Sequence, residues 1–242
     1  MQSNLSKCIS ANFVSVSDRF LIQCSIEENG QSRNINSIAS NLIQTSPFEI
    51  PNAKLWLSER EPFRKIPYMV EYVETDSHAV IMTNVTQSIE WVLEKALRED
   101  ILDLHSLCSY KFGQIPAISC VNDLRLELMT KNFQPHLVIF YPIMEVHNEN
   151  TFLFGYPPSY WMFDPLIDAL SYRRSGQKAT LIFLILHSDV DEIGLVPQPA
   201  GDTIKLLKES MKSGMNVLTP KINLHKDGSS SISLQDRLVL DM

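Results

Sequence analysis

Basic residues are scarce in this chain of 242 residues, which has 21 lysines and arginines against 28 aspartates and glutamates. The formal net charge is −7. Proteins that bind nucleic acids usually carry a basic stripe, because much of their affinity comes from releasing the counterions of the phosphate backbone. The densest basic cluster here consists of Arg173, Arg174 and Lys178. The composition therefore predicts no nucleic-acid partner.

Cysteines and long apolar runs are also few. No two of the four cysteines are spaced as C-x-x-C, so we expect no zinc site. No apolar run reaches the roughly 18 residues that a membrane-spanning helix needs. Residues 1–10 lack the apolar core of a secretory signal, and free cysteines without such a signal are typical of reducing compartments. We therefore expect a soluble cytoplasmic or nuclear protein with no transmembrane segment.

Glycine is missing from the first junction between a predicted strand and a predicted helix, at residues 81–88 (IMTNVTQS). Phosphate-binding folds place a glycine-rich loop there, because glycine lets backbone N–H groups close around a phosphate, and a lysine follows at the start of the helix. This junction has neither residue. We therefore expect no nucleotide hydrolysis, no catalytic residue at this junction and no cofactor.

The residues that are present first predict a β-rich segment. Apolar residues alternate at Phe20, Ile22, Cys24 and Ile26, as in a half-buried strand, and Asn29-Gly30 is a turn dipeptide that tolerates positive φ. A hairpin with residues 33–38 follows from this pattern. Four prolines between residues 45 and 68 indicate a connector. We predict a β-rich N-terminal segment with its connector over residues 1–60.

The pattern then changes to alternating strands and helices. Apolar runs predict buried strands at residues 79–82, 137–141 and 180–186. Helical spacing predicts helices around residues 89–97, 124–129, 164–170 and 202–211. The sequence thus predicts an α/β fold, with a mainly parallel sheet and helical crossovers over residues 61–220, preceded by the small β-rich segment. Residues 221–242 are predicted to form a turn and a late strand at 231–241.

An acidic cluster follows the most apolar predicted strand and contains His187, Asp189 and Asp191. In open α/β sheets, ligands bind beyond the carboxyl ends of strands. Histidine and aspartate at alternate positions suit a divalent metal that activates water, and Glu145 after the preceding strand is a further candidate ligand. Glu145 or Glu192 would then act as the general base. The alternative is a solvated strand end that holds acidic residues near a turn.

An aromatic segment at residues 152–162 (FLFGYPPSYWM) is the second candidate site. An exposed, proline-bearing aromatic loop favours a protein-binding patch, with Phe154, Tyr156, Tyr160 and Trp161 as the contact residues. The alternative is that Phe152, Phe154 and Trp161 cover the sheet, since aromatic residues are mostly buried.

Several stretches resemble degenerate guanylate-kinase domains of membrane-associated guanylate kinase scaffolds and calcium-channel β subunits. The resemblance rests on residues 66–70 (IPYMV), 78–83 (HAVIMT), 123–140 and 180–189. It implies a domain that recognises protein partners without catalysis. It also implies a Src-homology-3-like N-terminal module, to which the strand at 231–241 would return.

Two functions follow from these observations. The first is a non-catalytic scaffold domain that binds other proteins through the aromatic segment. The second is a metal-dependent hydrolase that uses the cluster of His187, Asp189, Asp191 and Glu145.

Overall fold

A computed structural model of the protein describes residues 8–18, 21–39, 53–61, 64–102, 125–155, 162–196, 202–224, 230–234 and 238–239. These residues form fifteen strands and three helices. None of the helices described is both long enough and apolar enough to cross a membrane.

The N-terminal part closes into a five-stranded barrel. Its strands are β1 (Ile9–Asp18), β2 (Leu21–Glu28), β3 (Gln31–Ile38), β4 (Lys54–Glu59) and β5 (Tyr68–Glu74). Antiparallel ladders join β1 to β2 and β4, β2 to β3, and β4 to β5. A short parallel pairing of β3 with β5, through Ser37 and Ile38, closes the circle. The resulting order β1-β2-β3-β5-β4 is that of an OB-type barrel.

The predicted hairpin between β2 and β3 is confirmed. Asn29 and Gly30 both adopt positive φ, at 53° and 76°, as a two-residue hairpin turn requires. The alternating residues Ile22, Cys24 and Ile26 are buried inside the barrel, as the period of two predicts.

A short strand and the first helix follow the barrel. Strand β6 (Val80–Met82) pairs antiparallel with β5, so the predicted parallel strand at this position is wrong. Helix α1 (Val85–Arg98) forms where predicted. Asn84 caps it, because its side-chain oxygen accepts a hydrogen bond from the Gln87 backbone N–H at 3.2 Å.

A second sheet has the order β14-β13-β10-β8-β7, and β12 also pairs with β10. Strands β8 (Pro135–Ile143) and β10 (Lys178–Ile185) are parallel and lie at its centre, whereas the ladders of β7 with β8 and of β13 with β14 are antiparallel. The remaining strands are β7 (Arg125–Met129), β12 (Asn216–Leu218), β13 (Lys221–Leu224) and β14 (Ser230–Ser233).

A small third sheet and two helices complete the described structure. Strands β9 (Thr151–Phe154) and β15 (Leu238–Val239) pair in parallel with β11 (Glu192–Leu195). Helices α2 (Phe163–Arg174) and α3 (Asp202–Lys212) pack on one face of the second sheet.

Two apolar clusters fill the interior. The first runs from the inside of the barrel through α1 to one face of the second sheet. The second lies on the other face, beneath α2, α3 and the third sheet. The central strands are therefore buried on both faces, which explains their unbroken apolar sequences.

The predicted fold class is wrong, because the described structure is mostly β, with a barrel and mixed sheets. The predicted helix at 124–129 is strand β7, in which Leu126 and Leu128 alternate with more exposed neighbours. The predicted return of the C-terminal strand to the N-terminal module is also wrong. Strand β14 pairs with β13 in the second sheet, and β15 pairs with β11 in the third.

Candidate functional site

A cleft opens on the barrel between β3 and the connection from β4 to β5. We call it the barrel cleft. It has a volume of about 410 Å³, within the range of roughly 300–1,000 Å³ that ligand sites occupy. It is lined by Leu21, Arg33, Asn34, Ile35, Asn36, Lys65, Ile66, Pro67 and Tyr68.

The alternation of β3 positions its amide side chains. Asn34 and Asn36 are exposed, whereas the alternating residues Ile35 and Ser37 are buried in the barrel. On β2 their cross-strand partners are Ser25 and Gln23, which are also uncharged hydrogen-bonding residues. The outer face of this hairpin therefore offers amide and hydroxyl groups to a ligand.

The opposite wall is formed by residues 65–68, at the end of the connection between β4 and β5. The backbone N–H of Arg60 donates to the carbonyl of Pro67 at 2.7 Å. The Arg60 guanidinium donates to the carbonyl of Ile66 at 3.3 Å. These two bonds hold Lys65 and Tyr68 at the edge of the cleft.

The charge of the barrel cleft differs from that of the whole chain. Both of its charged lining residues, Arg33 and Lys65, are cations. Arg33 lies 3.4 Å from Glu28, but both side chains are more than half exposed, so water screens this ion pair. Lys65 is exposed and has no ion-pair partner among the described residues. The cleft thus presents positive charge within an acidic chain.

The predicted metal cluster is arranged differently from a metal site. His187 is buried, and its Nδ1 accepts a hydrogen bond from the Asp189 backbone N–H at 3.2 Å. The Asp191 carboxylate lies 2.7 Å from the Lys221 ammonium. Glu145 lies 3.7 Å from His147 Nε2, and His147 Nδ1 accepts from the Leu153 backbone N–H.

These contacts use several of the atoms that a metal would need. Within the part of the chain that the structure describes, no group of three or more His, Cys, Asp or Glu residues is placed to hold a metal ion. His187 has a structural position instead. It forms a β-bridge with Ile81, and the neighbouring Met82 N–H donates to the Leu186 carbonyl at 2.9 Å, which joins β6 to the end of β10.

The predicted partner-binding segment is only partly described. Phe154 is fully buried, and its ring packs edge-on against Tyr141 and Phe183, with centroids 5.2 Å apart in both pairs. Its ring therefore covers the sheet and does not face a partner. Tyr156, Tyr160 and Trp161 lie outside the described residues.

The residues of the barrel cleft were not singled out from the sequence. A usable signal is present in two places. Polar, uncharged residues occupy four neighbouring outward positions of the β2–β3 hairpin (Gln23, Ser25, Asn34 and Asn36), and Arg64 and Lys65 lie shortly before Pro67. What brings the two together is the pairing of Ser37 with Tyr68, which is not visible in the sequence.

A comparison with solved structures finds a chain of the same fold. The protein is similar to SfsA. The structure concerned is that of Pyrococcus furiosus SfsA in complex with Ca²⁺, with a TM-score of 0.72 and 13% sequence identity over 99% of this chain and 98% of that chain. No protein-family model matches the chain, and no curated protein matches it by sequence.

This similarity corrects the resemblance to guanylate kinases. Nearly the whole chain superimposes on SfsA, and the described strands form a barrel and mixed sheets. The guanylate-kinase interpretation is therefore wrong, and the scaffold and inactive-kinase roles that it implied have no support.

Proposed function

We propose that this protein is a binding protein, not an enzyme, and that its barrel cleft takes a single-stranded nucleic acid. The observation that supports this proposal is the position of the cleft. OB-type barrels bind oligonucleotides and oligosaccharides where the β2–β3 face meets the connections at the end of the barrel. The cleft lies at this position, between β3 and the β4–β5 connection.

The lining of the cleft favours a nucleic acid over a neutral oligosaccharide. Arg33 and Lys65 provide positive charge for phosphate groups. Asn34 and Asn36 provide amide groups that pair with base edges, and Tyr68 provides an aromatic side chain for stacking. The expectation of no nucleic-acid partner rested on the total charge, but a bound ligand meets the local charge of its site.

The number of cations in the cleft predicts how strongly binding depends on salt concentration. When the logarithm of the binding constant is plotted against the logarithm of the salt concentration, each phosphate contact to a single strand contributes about −0.7 to the slope. Two contacts therefore give a slope of about −1.4. The net charge of −7 opposes the approach of any polyanion. We therefore expect weak binding that is detectable at low ionic strength and lost at high salt.

The test is fluorescence anisotropy of a labelled single-stranded oligonucleotide, with an unlabelled duplex and a neutral oligosaccharide as competitors. The Arg33→Gln, Lys65→Gln double variant should lose most of the binding and flatten the salt dependence. A matched control removes two exposed cations elsewhere, Arg174→Gln with Lys205→Gln. Equal loss in both double variants would show that only net charge matters. No anisotropy change at low salt would refute the proposal.

Calcium is a second variable in this assay, because the similar SfsA structure is a complex with Ca²⁺. Binding is therefore measured with Ca²⁺ and with a chelator. We expect the same affinity in both, because the charged residues that line the barrel cleft are cations. Binding that requires Ca²⁺ would place the nucleic acid at another site. A protein partner at Tyr156, Tyr160 and Trp161 stays a prediction from the sequence.

A further inference from the structure

Cross-strand pairs continue from the barrel cleft over the outside of the barrel. Asn34, which lines the cleft, pairs with Ser25 on β2. Ser25 pairs in turn with Asn12 on β1, and Asn12 pairs with Lys54 on β4. These four residues form one row across four strands, and we call it the outer row.

The alternation of side chains along each strand places the outer row on the outer face of the barrel. Every member of the row is next in sequence to a residue that is buried in the first apolar cluster. These buried neighbours are Ala11, Cys24, Ile35 and Leu55. Since successive side chains of a strand point to opposite faces, the row points away from the interior. Asn12 and Asn34 are exposed, and Ser25 and Lys54 are partly exposed.

Three members of the outer row have hydrogen-bonding groups that the fold does not use. Among the described residues, the side chains of Asn12, Ser25 and Asn34 have no hydrogen-bond partner. By contrast, the hydroxyl of Ser15 on the same sheet donates to Gln23 Oε1 at 3.2 Å. An amide group has two donors and an acceptor, so the row can bond to base edges and to phosphate oxygens.

The outer row ends in a cation that the fold holds in place. The Lys54 ammonium lies 4.5 Å from the centroid of the Trp56 ring, which is a cation–π contact. The ring packs against the first apolar cluster, and its Nε1–H donates to Glu74 at 3.4 Å. Lys54 forms no ion pair within the described residues. Glu74 is its cross-strand partner on β5, so this carboxylate offsets part of the positive charge.

The residues beside the outer row differ on its two sides. On one side, the next outward residue of β2 after Ser25 is Glu27, an exposed carboxylate that repels phosphate groups. On the other side, Val14 follows Asn12 on β1 at a break in the ladder register, and it is 45% exposed. Nucleic-acid bases have apolar faces as well as polar edges. A strand that follows the row therefore meets an apolar contact at Val14 and lies away from Glu27.

The length of the outer row suits a short stretch of single strand. Three intervals between neighbouring strands, each of about 4.8 Å, separate β3 from β4, which gives about 14 Å. Stacked nucleotides of one strand are about 3.4 Å apart, so about four nucleotides cover this distance. Together with the cleft, the row falls within the roughly 4–16 nucleotides that one OB barrel binds.

We propose that the single strand bound in the barrel cleft continues along the outer row and that Lys54 binds one of its phosphate groups. Asn34, Ser25 and Asn12 bond to the strand between the cleft and Lys54. Trp56 is a positioning residue, because it holds the ammonium of Lys54 without contacting the strand. This inference rests on the proposed function and adds to it the course and the length of the bound strand.

The test is fluorescence anisotropy at about 30 mM salt with a labelled thymidine trinucleotide, which the cleft alone can hold, and with a labelled dodecanucleotide. The dodecanucleotide should bind more tightly to the wild type. Lys54→Gln should weaken dodecanucleotide binding by about three- to tenfold and bring its salt slope closer to zero by about 0.7, because one phosphate contact is lost. Trinucleotide binding should not change in this variant.

Two further variants separate charge from hydrogen bonding. Glu74→Gln keeps an acceptor for the Trp56 N–H and removes the charge opposite Lys54, so it should strengthen dodecanucleotide binding. Asn12→Ala should weaken dodecanucleotide binding without changing its salt slope, because no cation is lost. Lys205→Gln on α3 is the control with the same change in net charge as Lys54→Gln, and it should leave both oligonucleotides unaffected.

The two oligonucleotides also distinguish a failure of the outer row from a failure of the cleft. If neither binds to the wild type, the proposed function and this inference both fail. If the trinucleotide binds but Lys54→Gln weakens the dodecanucleotide no more than Lys205→Gln does, only the outer row is excluded. Equal weakening of both oligonucleotides by Lys54→Gln would likewise overturn the inference, because Lys54 would then not act on the extended strand alone.

Discussion

The ammonium of Lys221 lies 2.7 Å from Oδ1 of Asp191. The two side chains differ strongly in exposure, since that of Lys221 is 9% exposed and that of Asp191 is 59% exposed. The pair joins the start of β13 to the turn after β10. It also occupies one of the carboxylates that the sequence suggested as a metal ligand, so this region of the chain works as a structural junction.

The unequal exposure of the pair predicts an unequal response to mutation. In Asp191→Asn a mostly buried ammonium loses its counter-charge, and we expect a loss of about 1–2 kcal/mol after allowing for the solvent exposure of the carboxylate. In Lys221→Met the aliphatic stem is kept and the exposed carboxylate is left in water, so the loss should be smaller. Urea denaturation of both variants measures the difference, and equal losses would contradict this account.

Elements with strong local signals were predictable from the sequence. The β2–β3 hairpin follows from Asn29-Gly30, helix α1 from its apolar period and the Asn84 cap, and β10 from its unbroken apolar run. A helix is predicted at the position of strand β7 because Leu124, Leu128 and Met129 also fit a helical period. In a five-residue strand, tertiary pairing with β8 decides the conformation.

Pairings between distant segments were not predictable. The closure of the barrel depends on two residue pairs, Ser37 with Tyr68 and Ile38 with Met69. The direction of β6 depends on its ladder with β5. The barrel cleft exists only because of that closure. Arg33 and Lys65 are far apart in the sequence, so the sequence does not indicate that they line the same cleft. The acidic cluster gave a strong local signal, but its side chains take part in local hydrogen bonds and ion pairs.

His187 predicts that the stability of the fold depends on pH. Burial lowers the pKa of His187 from its usual value of 6.5; the nearby Asp189 opposes this shift, and the Lys221 ammonium adds to it. The unfolded chain therefore binds a proton at a higher pH than the folded chain does. This contribution to stability is present above about pH 6.5 and is lost as the pH falls through the lower folded-state pKa.

The measurement is the melting temperature between about pH 5 and pH 8 for the wild type and for His187→Gln. Other carboxylates and histidines affect both proteins alike, so the difference between the two profiles isolates His187. We expect the wild type to lose more stability than the variant on acidification, because protonation also removes the acceptor at Nδ1 for the Asp189 N–H. Parallel profiles would exclude this role.

Gly214 is predicted to be intolerant of a side chain. Its φ is +94°, and an added Cβ would lie 2.7 Å from Nη2 of Arg173. That guanidinium cannot move freely, because it donates to the Ser213 carbonyl at 3.1 Å and to the Gln177 carbonyl at 2.8 Å. We expect Gly214→Ala to cost about 2–3 kcal/mol, from backbone strain together with the displaced guanidinium.

Gly176 provides the matched control for this substitution. It has a similar φ of +81°, but nothing lies within 4 Å of an added Cβ. Gly176→Ala should therefore show only the backbone cost, about 1–2 kcal/mol. Chemical denaturation of both variants separates the contact with Arg173 from the conformational strain, and a Gly176→Ala loss as large as that of Gly214→Ala would remove the contact from the explanation.

Substitution of Phe154 tests whether this residue belongs to the core or binds a partner. Its ring is fully buried and meets Tyr141 at 73° and Phe183 at 76° between the ring planes. Removing a buried phenylalanine ring costs about 3–5 kcal/mol, through lost burial and the cavity that remains. We expect Phe154→Ala to destabilise the chain by that amount in thermal and urea unfolding.

Phe163→Ala is the control, because Phe163 on α2 is 37% exposed and its substitution should cost about 1 kcal/mol or less. A Phe154→Ala protein of nearly unchanged stability that fails to bind a partner would instead restore the partner-binding role predicted from the sequence.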